Sequence, residues 1–368
     1  MNQEQVPSER PRKHHLSVLI LTSGNRTPST RFRVLPFLRH LKGAGILPTV
    51  APSFPQKYDY FPWMGFRPSQ FLKRLVRWCH WIFAKWCRFD VILIERELFD
   101  NETTDMESRF LRLGTRVVLD LDDAVFLRYP EKMDLLARQV DLVIAGNHWI
   151  AEWVIERNKN CIIIPTGVEL AHFPPKPQKN VSHVPVVGWI GTTGNLMYLE
   201  VAAKGLRDLA QTCKFELHIV VPYLKIPASV NLEGVRVVHI PWHHASEVAA
   251  IHKFDIGIMP LFSGRTWDNY KCPTKLIQYM SIGIPSVASP IGFTGEVLTH
   301  GIDGFYAASD YEWELLLKQL ITDEPLRRRV GTEARSKVAN GYCVESNWPV
   351  LAAALHGERG QYWKRIAD

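Results

Sequence analysis

Short apolar runs alternate with amphipathic segments through the first half of the chain. Continuous apolar strands separated by helices are typical of a parallel sheet that helices cover on both faces. The pattern predicts strands over 16–21, 90–95, 116–121, 141–145 and 161–165, with helices over 29–42, 69–88, 131–139 and 148–157.

A polar, proline-rich stretch over 172–184 interrupts this pattern, which begins again at Pro185. The second half predicts strands over 185–190, 215–221, 235–240, 255–260 and 285–289, with helices near 195–211, 244–252, 273–282, 310–322 and 324–339.

These elements predict an α/β protein with two Rossmann-like, parallel-sheet domains that face a central cleft. Ligands of such sheets bind outside the carboxyl ends of the strands. The domains are predicted over 1–173 and 185–345, joined by a linker over 174–184. A C-terminal helix within 346–368 is predicted to pack back on the first domain.

The composition is that of an ordinary globular protein, and 368 residues are enough for two domains. No apolar run reaches about 18 residues, and the first 15 residues are polar and basic. We therefore expect neither a membrane span nor a signal peptide. The six cysteines lack metal-ligand spacing, which favours reduced thiols in a cytoplasmic protein.

The charge is concentrated near the start of the chain. Residues 1–89 contain 15 lysines and arginines but three acidic residues, so this region favours an anionic partner. The segment 69–88 combines cations with closely spaced aromatic residues, which suits a helix lying on an anionic membrane surface. The alternative is a core-facing helix with a solvated basic edge. Nucleic acid is not expected as a partner, because no nucleic-acid module is recognisable.

The segment 271–289 indicates an anion site. Pro273 suits the first position of a helix, which should run through Met280 and stop at Gly283. Lys275 would then lie in the first turn, where the helix dipole disfavours a cation unless an anion docks there.

The neighbouring side chains suggest the chemistry of that anion. Lys271 precedes the helix, and Gln278 is one turn beyond Lys275 on the same face. Two lysines and a neutral amide suit a nucleoside diphosphate with its ribose. The alternative is an amphipathic core helix whose lysines are solvated.

Two glycine-containing loops follow predicted strands. Gly188, Gly191 and Gly194 are spaced so that the backbone could approach a phosphate or a sugar, although a plain tight turn would look the same. Ser23-Gly24-Asn25-Arg26 is the matching loop of the first domain. The pair Asp120 and Asp122 could instead hold a divalent ion through hard oxygen ligands, an interpretation that we do not favour.

Three stretches resemble one enzyme family. They are Ser-Thr-Arg-Phe-Arg at 29–33, Glu-Arg-Glu-Leu-Phe at 95–99 with Leu-Asp-Leu-Asp-Asp-Ala at 119–124, and Phe-Asp-Ile-Gly-Ile-Met-Pro-Leu at 254–261 with Trp267 and 271–289. Together they resemble the retaining glycosyltransferases of family four, of the bacterial envelope and polysaccharide type. The resemblance implies the GT-B fold, a nucleotide-sugar donor, retention of anomeric configuration and no metal.

The chain departs from this family at several donor positions. Where the family has two glutamates eight positions apart, this sequence has Tyr270 and Gln278, so Asp268 could take over the contact with the donor sugar. In the family, the loop after the first strand of the second domain often carries an Arg and a Lys that hold the diphosphate. Here that loop is Gly191-Thr192-Thr193-Gly194-Asn195, which contains no cation. Asp122 aligns with a His-Asp pair and is the expected contact to the donor sugar.

The motifs and the resemblance together imply three sets of site residues. Catalysis is assigned to Asp122, Lys271 and Lys275, and the acceptor side to Gly24, Arg31 and Arg33. Nucleotide-sugar binding is assigned to Gly191, Thr193, Gly194, Asn195, Arg265, Asp268, Lys271, Lys275, Leu276 and Gln278.

The sequence thus predicts a glycosyltransferase that moves a sugar from a nucleoside-diphosphate sugar to a cell-envelope glycan or a lipid-linked acceptor. No cofactor beyond the donor is expected. The protein should be cytoplasmic, with a peripheral place on the inner face of the membrane as an option. Two alternatives stay open, a catalytically altered GT-B scaffold that binds nucleotide sugars and a nucleotide-sugar epimerase.

Overall fold

The computed structural model describes residues 15–177 and 184–358. The predictions for 1–14, for the middle of the linker at 178–183 and for 359–368 lie outside these residues.

Residues 15–177 form a parallel sheet with helices on both faces. Its strands are β1 (Leu16–Thr22), β2 (Ile46–Pro52), β3 (Val91–Glu95), β4 (Arg116–Leu121), β5 (Leu142–Ala145) and β6 (Cys161–Ile163). The helices are α1 (Pro28–Arg33), α2 (Leu38–Gly43), α3 (Phe66–Cys87), α4 (Asp105–Leu111), α5 (Val125–Arg128), α6 (Pro130–Gln139) and α7 (His148–Ile155). The strand order is β2-β1-β3-β4-β5-β6.

Residues 184–358 form a second parallel sheet and the remaining helices. The strands are β7 (Val186–Ile190), β8 (Glu216–Val221), β9 (Val237–Pro241), β10 (Ile256–Met259), β11 (Ser286–Ala288) and β12 (Phe305–Tyr306), in the order β12-β11-β10-β7-β8-β9. The helices are α8 (Glu200–Thr212), α9 (Glu247–Ile251), α10 (Thr266–Asn269), α11 (Thr274–Ile282), α12 (Thr294–Val297), α13 (Asp310–Thr322), α14 (Glu324–Gly341) and α15 (Val344–His356). The predicted fold class of two parallel-sheet domains is confirmed.

Alternate residues of the central strands enter different cores. On β1, Leu19 and Leu21 pack into one buried cluster, whereas Val18 and Ile20 pack into another on the opposite face of the sheet. Successive side chains of a strand point to opposite faces, so a sheet buried on both faces requires an unbroken apolar run. This explains why the strands could be recognised from the sequence.

The predicted helix over 29–42 is wrong as a single element. The segment divides into α1, a short 3-10 helix over Leu35–Phe37 and α2. Pro36 lacks the N–H that a continuous helix would use at this point. The segment between α2 and α3 also contains β2, which the sequence did not predict. It carries Pro48 and Pro52, and proline is tolerated in β2 because this strand forms the edge of the sheet.

The last described helix, α15, packs on the first domain. Leu351 and Leu355 lie in the same buried cluster as Val18 and Ile20. The Arg116 guanidinium donates to the carbonyl oxygens of Ala354 and Leu355, at 2.7 and 2.8 Å. A cation at the end of a helix complements its dipole. None of the described helices is both long and apolar enough to cross a bilayer.

A close contact between α8 and α13 gives a stability prediction. A Cβ added at Gly205 would lie 2.6 Å from the Trp313 Cβ and 2.7 Å from the Asp310 carbonyl oxygen. Gly→Ala inside a helix is normally stabilising by about 1 kcal/mol. Here we expect Gly205→Ala to lower the free energy of unfolding by about 1–3 kcal/mol, because backbone and Cβ atoms cannot move aside. Urea unfolding measures this change.

The matched control is Gly43→Ala, because an added Cβ at this helical glycine meets nothing within 4 Å. Equal stabilities for the two variants would show that the contact between α8 and α13 is looser than described.

Candidate functional site

The cleft forms where the carboxyl ends of β4 and β5 meet the segment before α11. A Cβ added at Gly146, just after β5, would lie 2.8 Å from the Cys272 sulfur and 2.9 Å from the Asp122 Cα. Asn147 caps α7 and donates to the Tyr270 carbonyl oxygen at 2.9 Å. These contacts place Asp122 and the segment 270–275 next to each other.

Helix α11 begins one residue later than predicted. Pro273 has a non-helical ψ of 58° and is the residue that precedes the helix, so its prediction as the first helical residue is wrong. The predicted stop is confirmed, because Gly283 has the left-handed φ of 83°. Lys275 is therefore the second residue of α11.

Lys275 is a cation without an ionic partner among the described residues. Its side chain runs along Gly191, where an added Cβ would lie 2.9 Å from the lysine Cε and 2.5 Å from the Trp189 ring. Its Nζ lies 5.5 Å from the centroid of that ring. Burial, with a smaller contribution from Lys271, lowers the pKa of Lys275 to about 8.

Lys271 differs because it is already paired. Its Nζ lies 3.1 Å from Asp268 Oδ1 and also donates to the hydroxyl oxygen of Tyr198. The Tyr198 hydroxyl donates to Asp268 Oδ1 at 2.6 Å. The other oxygen of this buried carboxylate, Asp268 Oδ2, has no hydrogen-bond partner in the described residues. Asp268 is thus held by two neighbours, and its second oxygen is buried without a partner among the described residues.

Gln278 is buried against a carboxylate that the sequence analysis missed. Its Nε2 donates to Glu247 Oε1 at 3.2 Å, and the Trp242 indole N–H donates to the same oxygen at 3.2 Å. The other oxygen, Oε2, forms an ion pair with Arg31 of the first domain. Arg31 also lies 3.1 Å from His244 Nδ1. Arg31, predicted for the acceptor side, therefore reaches across the cleft to the second domain.

The two aspartates at 120 and 122 each have an arginine. Arg33 donates through Nε to Asp120 at 2.7 Å, and its Nη1 donates to the Ile164 carbonyl oxygen and the Thr166 hydroxyl. Arg33 is therefore buried and fully bonded inside the first domain, rather than presented at the acceptor side. Asp122 is paired with Arg96, whose φ of 55° is left-handed.

The two neighbouring carboxyl groups after β4, Asp122 and Asp123, have pKa values shifted in opposite directions. Burial would raise the pKa of Asp122, but the adjacent Arg96 guanidinium outweighs it and holds the pKa low. Burial dominates at Asp123, whose pKa is raised to about 6. Among the described residues, no group of three or more His, Cys, Asp or Glu side chains could hold a metal ion.

The remaining predicted residues occupy varied positions. Thr193 opens a 3-10 helix over Thr193–Leu199, where an α-helix had been predicted from about 195, and its hydroxyl donates to the Tyr223 carbonyl oxygen at 2.9 Å. The Asn195 N–H is used inside that turn, and a Cβ at Gly194 would meet nothing within 4 Å. The Arg265 guanidinium lies 4.1 Å from the centroid of the Phe262 ring.

Leu276 and Gly24 are both tightly packed against other parts of the protein. The Leu276 side chain is fully buried in the core of the second domain, which leaves its backbone for any ligand contact. Gly24 has a φ of 142°, and an added Cβ would lie 2.7 Å from the Gln56 Cγ. The Tyr270 ring packs edge-on against Phe126 with centroids 5.1 Å apart, so it joins the domains instead of replacing a glutamate.

The serine and threonine of the 29–33 motif also have a structural role. Ser29 and Thr30 hydroxyls donate to the buried carboxylate of Glu95 at the end of β3, the latter at 2.5 Å. The Ser23 N–H donates to the same carboxylate at 3.3 Å. Glu95 thus fixes the start of α1 and the loop after β1.

Comparison with known proteins finds a family model that matches part of the chain and solved structures that share its fold. Residues 184–323 match the family model described as glycosyl transferases group 1. This match lies within the second domain, ends before α14, and covers less than half of the chain. No curated protein matches the sequence.

The solved structures that resemble the chain share its fold at low identity. Sucrose-phosphate synthase from Thermosynechococcus elongatus has a TM-score of 0.69 at 13% identity, over 93% of this chain and 98% of that one. A glycosyltransferase from Rickettsia africae has a TM-score of 0.65 at 14% identity, over 93% and 99%. Anabaena Alr3699/HepE in complex with UDP and glucose has a TM-score of 0.62 at 16% identity, over 93% and 100%.

The fold is GT-B. The predicted architecture is confirmed by these likenesses and by the two sheets. The family match and the neighbours support a GT-B glycosyltransferase, whereas family four, retention and the individual site residues stay predictions.

The unpaired lysine gives a prediction about stability and pH. Folding lowers the pKa of Lys275 from 10.5 to about 8. Between these two pH values, the unfolded chain therefore binds more protons than the folded chain. Stability should therefore rise as pH increases from about 8 to 10.5. We expect Lys275→Met to raise the free energy of unfolding at pH 7 by about 1 kcal/mol, since the lysine is partly exposed. Urea unfolding at several pH values measures this gain.

The gain should shrink above pH 8, where the wild-type lysine loses its charge. Lys214→Met is the control, because Lys214 is exposed and should show no such change. A destabilised Lys275→Met protein at pH 7 would contradict the electrostatic account.

The buried amide at 278 gives a second prediction. Gln278→Glu would place a carboxylate beside Glu247, and like charges at this distance repel. We expect this variant to lose about 1–3 kcal/mol of stability at pH 8, more than Gln278→Met, which removes the hydrogen bond alone. The repulsion raises the pKa values of the pair, so the extra loss should decline towards pH 4. Urea unfolding at both pH values tests this order, and equal losses for Glu and Met would refute it.

Proposed function

We propose that this chain is a GT-B glycosyltransferase that transfers a sugar from a nucleoside-diphosphate sugar to a cell-envelope glycan or a lipid-linked acceptor. The observation that carries the proposal is the charge of Lys275, which lies at the first turn of α11 beside Gly191 and lacks an ionic partner among the described residues. A partly buried cation that forms no ion pair is unfavourable unless a ligand supplies the negative charge. A diphosphate at the helix N-terminus supplies it.

The surrounding groups suit the rest of the donor. Asp268 and Tyr198 hold the Lys271 ammonium group in place, so it supplies a second, ordered cation for the phosphates. Asp268 Oδ2 is buried without a partner among the described residues, so it would have to be uncovered to accept from a sugar hydroxyl. Gln278 and Glu247 together offer an amide and a carboxylate, which suit the two hydroxyls of a ribose.

In this mechanism the two lysines and the helix N-terminus stabilise the charge that develops on the leaving diphosphate. A phosphate oxygen of the leaving group takes the acceptor proton on the same face, which gives retention. Asp122 contacts the donor sugar, and its pairing with Arg96 keeps it ionised. We also propose that no metal takes part. Arg33 and Arg96 supply the positive charge beside Asp120 and Asp122 that an ion would otherwise provide.

The first test is thermal stabilisation by UDP, GDP, dTDP, ADP and CMP, with and without magnesium. UDP comes first, because the Anabaena protein was solved with UDP-glucose. A nucleotide at about 100 times its dissociation constant should add about 2.7 kcal/mol of stability. We expect one diphosphate to act without magnesium and its effect to be lost in Lys275→Met. Lys214→Met should keep it.

A second measurement separates the enzyme from the two alternatives. We expect release of the nucleoside diphosphate from the matching nucleotide sugar, slowly to water and faster with an acceptor extract. Nucleotide binding without release would favour the altered scaffold. Interconversion of the sugar would favour an epimerase, for which Asp123 could serve as acid, since its pKa is about 6. No stabilisation by any nucleotide would overturn the donor site.

A further inference from the structure

Helix α3 is turned with two of its cations inward and most of its aromatic rings outward. The side chains on its buried face are Ser69, Lys73, Arg77 and Ala84. Lys73 and Arg77 are 2% and 1% exposed, whereas Phe71 and Trp86 are 70% and 82% exposed. One face of 69–88 therefore packs on the core, as the alternative interpretation expected, but that face carries two cations, and the aromatic rings point outward.

Hydrogen bonds to backbone carbonyls fix this orientation. Lys73 Nζ donates to the carbonyl oxygen of Lys57 at 2.7 Å. Arg77 donates to the carbonyl oxygens of Ala51 and Thr22, at 2.9 and 2.6 Å, which lie at the carboxyl ends of β2 and β1. Rotating the helix would leave both buried cations without these partners, at a large cost. The outward position of the rings is thus a built feature of the domain.

The outer side chains form a continuous apolar stripe. Residues spaced at three or four positions lie on one face of a helix. The stripe consists of Phe71, Leu75, Trp78, Ile82 and Trp86. We call these five residues the aromatic face. The 22 residues of α3 make it about 33 Å long. Exposed apolar surfaces of this extent mark interaction sites.

Positive charge accompanies the aromatic face. Residues 54–89 contain seven lysines and arginines and a single acidic residue, Asp59. Arg67, Arg74 and Lys85 are exposed and follow one row of the helix along the edge of the stripe. From α4, the Arg109 guanidinium stacks 4.2 Å from the centroid of the Trp78 ring. A partner must therefore accept apolar rings and carry negative charge.

We propose that the aromatic face docks on the surface of an anionic phospholipid bilayer. A helix with an apolar face and cations beside it lies in the plane of the interface, with its rings at headgroup depth. Tryptophan suits this depth because one end of its ring system is apolar and the other carries an N–H. The cations then contact lipid phosphates.

The docking surface also lies near the cleft. Lys73 binds the Lys57 carbonyl oxygen, and the Lys57 N–H donates to the Ser23 carbonyl oxygen at 2.8 Å, at the loop after β1. Bilayer docking would bring that loop towards the membrane and favour a lipid-linked acceptor. This consequence rests on the proposed function, whereas the docking itself does not.

The test is co-sedimentation of the whole chain with vesicles of phosphatidylcholine alone and of phosphatidylcholine with phosphatidylglycerol. We expect binding to the mixed vesicles, little binding to the neutral ones and a decline with added salt. Phe71→Ser with Trp86→Ser should abolish binding. Arg74→Glu with Lys85→Glu should weaken it by at least about tenfold.

Two matched pairs of exposed residues are the controls. Tyr223→Ser with Tyr311→Ser removes rings that are 64% and 68% exposed elsewhere. Lys214→Glu with Arg329→Glu reverses the same charge on other surfaces. Both pairs should bind like the wild type, and thermal unfolding should show all variants to be folded.

Three results would overturn the proposal. The first is equal binding to neutral and anionic vesicles, and the second is no vesicle binding at all. The third is loss of binding in the control pairs as well, which would indicate a non-specific effect. Self-association without vesicles that Phe71→Ser with Trp86→Ser removes would assign the aromatic face to a second copy of the chain. Nucleotide stabilisation should be unchanged by the Phe71 and Trp86 substitutions, so the two proposals fail separately.

Discussion

The cleft depends on the close approach of the two domains at Gly146. There the end of β5 lies so near to the Cys272 sulfur that a side chain would push away the segment before α11, and so near to the Asp122 Cα that it would also disturb the end of β4. The Asn147 amide then ties α7 to the Tyr270 carbonyl oxygen, and the Tyr270 ring packs on Phe126. The contact lies at the carboxyl ends of β4 and β5, where ligands of parallel sheets bind. The acidic end of β4 and the lysines around α11 are thereby brought together from distant parts of the chain.

The cations of the cleft fall into two groups. Arg33 and Arg96 are neutralised by aspartates and hold loops and helices in place, and Asp268 likewise fixes the position of Lys271. Lys275 has no such partner in the described residues, and burial lowers its pKa. A protein that needed only stability would carry an apolar residue there. The unfavourable charge is retained at the same place where a helix N-terminus and a glycine leave room for an anion. This contrast separates a binding residue from structural ones more clearly than exposure does.

Periodicity predicted the sheets well because both of their faces are buried, so each strand is an unbroken apolar run. Three features could not be predicted from the sequence, each for a physical reason. Strand β2 contains two prolines, which only an edge position tolerates. Helix α3 has a clear apolar face, but periodicity does not show that its opposite, cationic face is the buried one. Glu247 acquires its partners from Arg31 and Gln278, which are far away in the sequence, and no local pattern indicates this meeting.

The position of Glu247 explains the residue at 278. The family that the chain resembles has a glutamate there, and its absence suggests a weakened site. However, Glu247 already places a carboxylate within hydrogen-bond distance of residue 278, between a guanidinium, an indole and the amide. A second carboxylate would repel it, whereas glutamine donates to it. The cleft therefore keeps one carboxylate at this point, supplied by α9 instead of α11. Its partner Arg31 belongs to the opposite domain, so on the proposed function a ribose that binds Glu247 also contacts the residue that joins the two halves of the cleft.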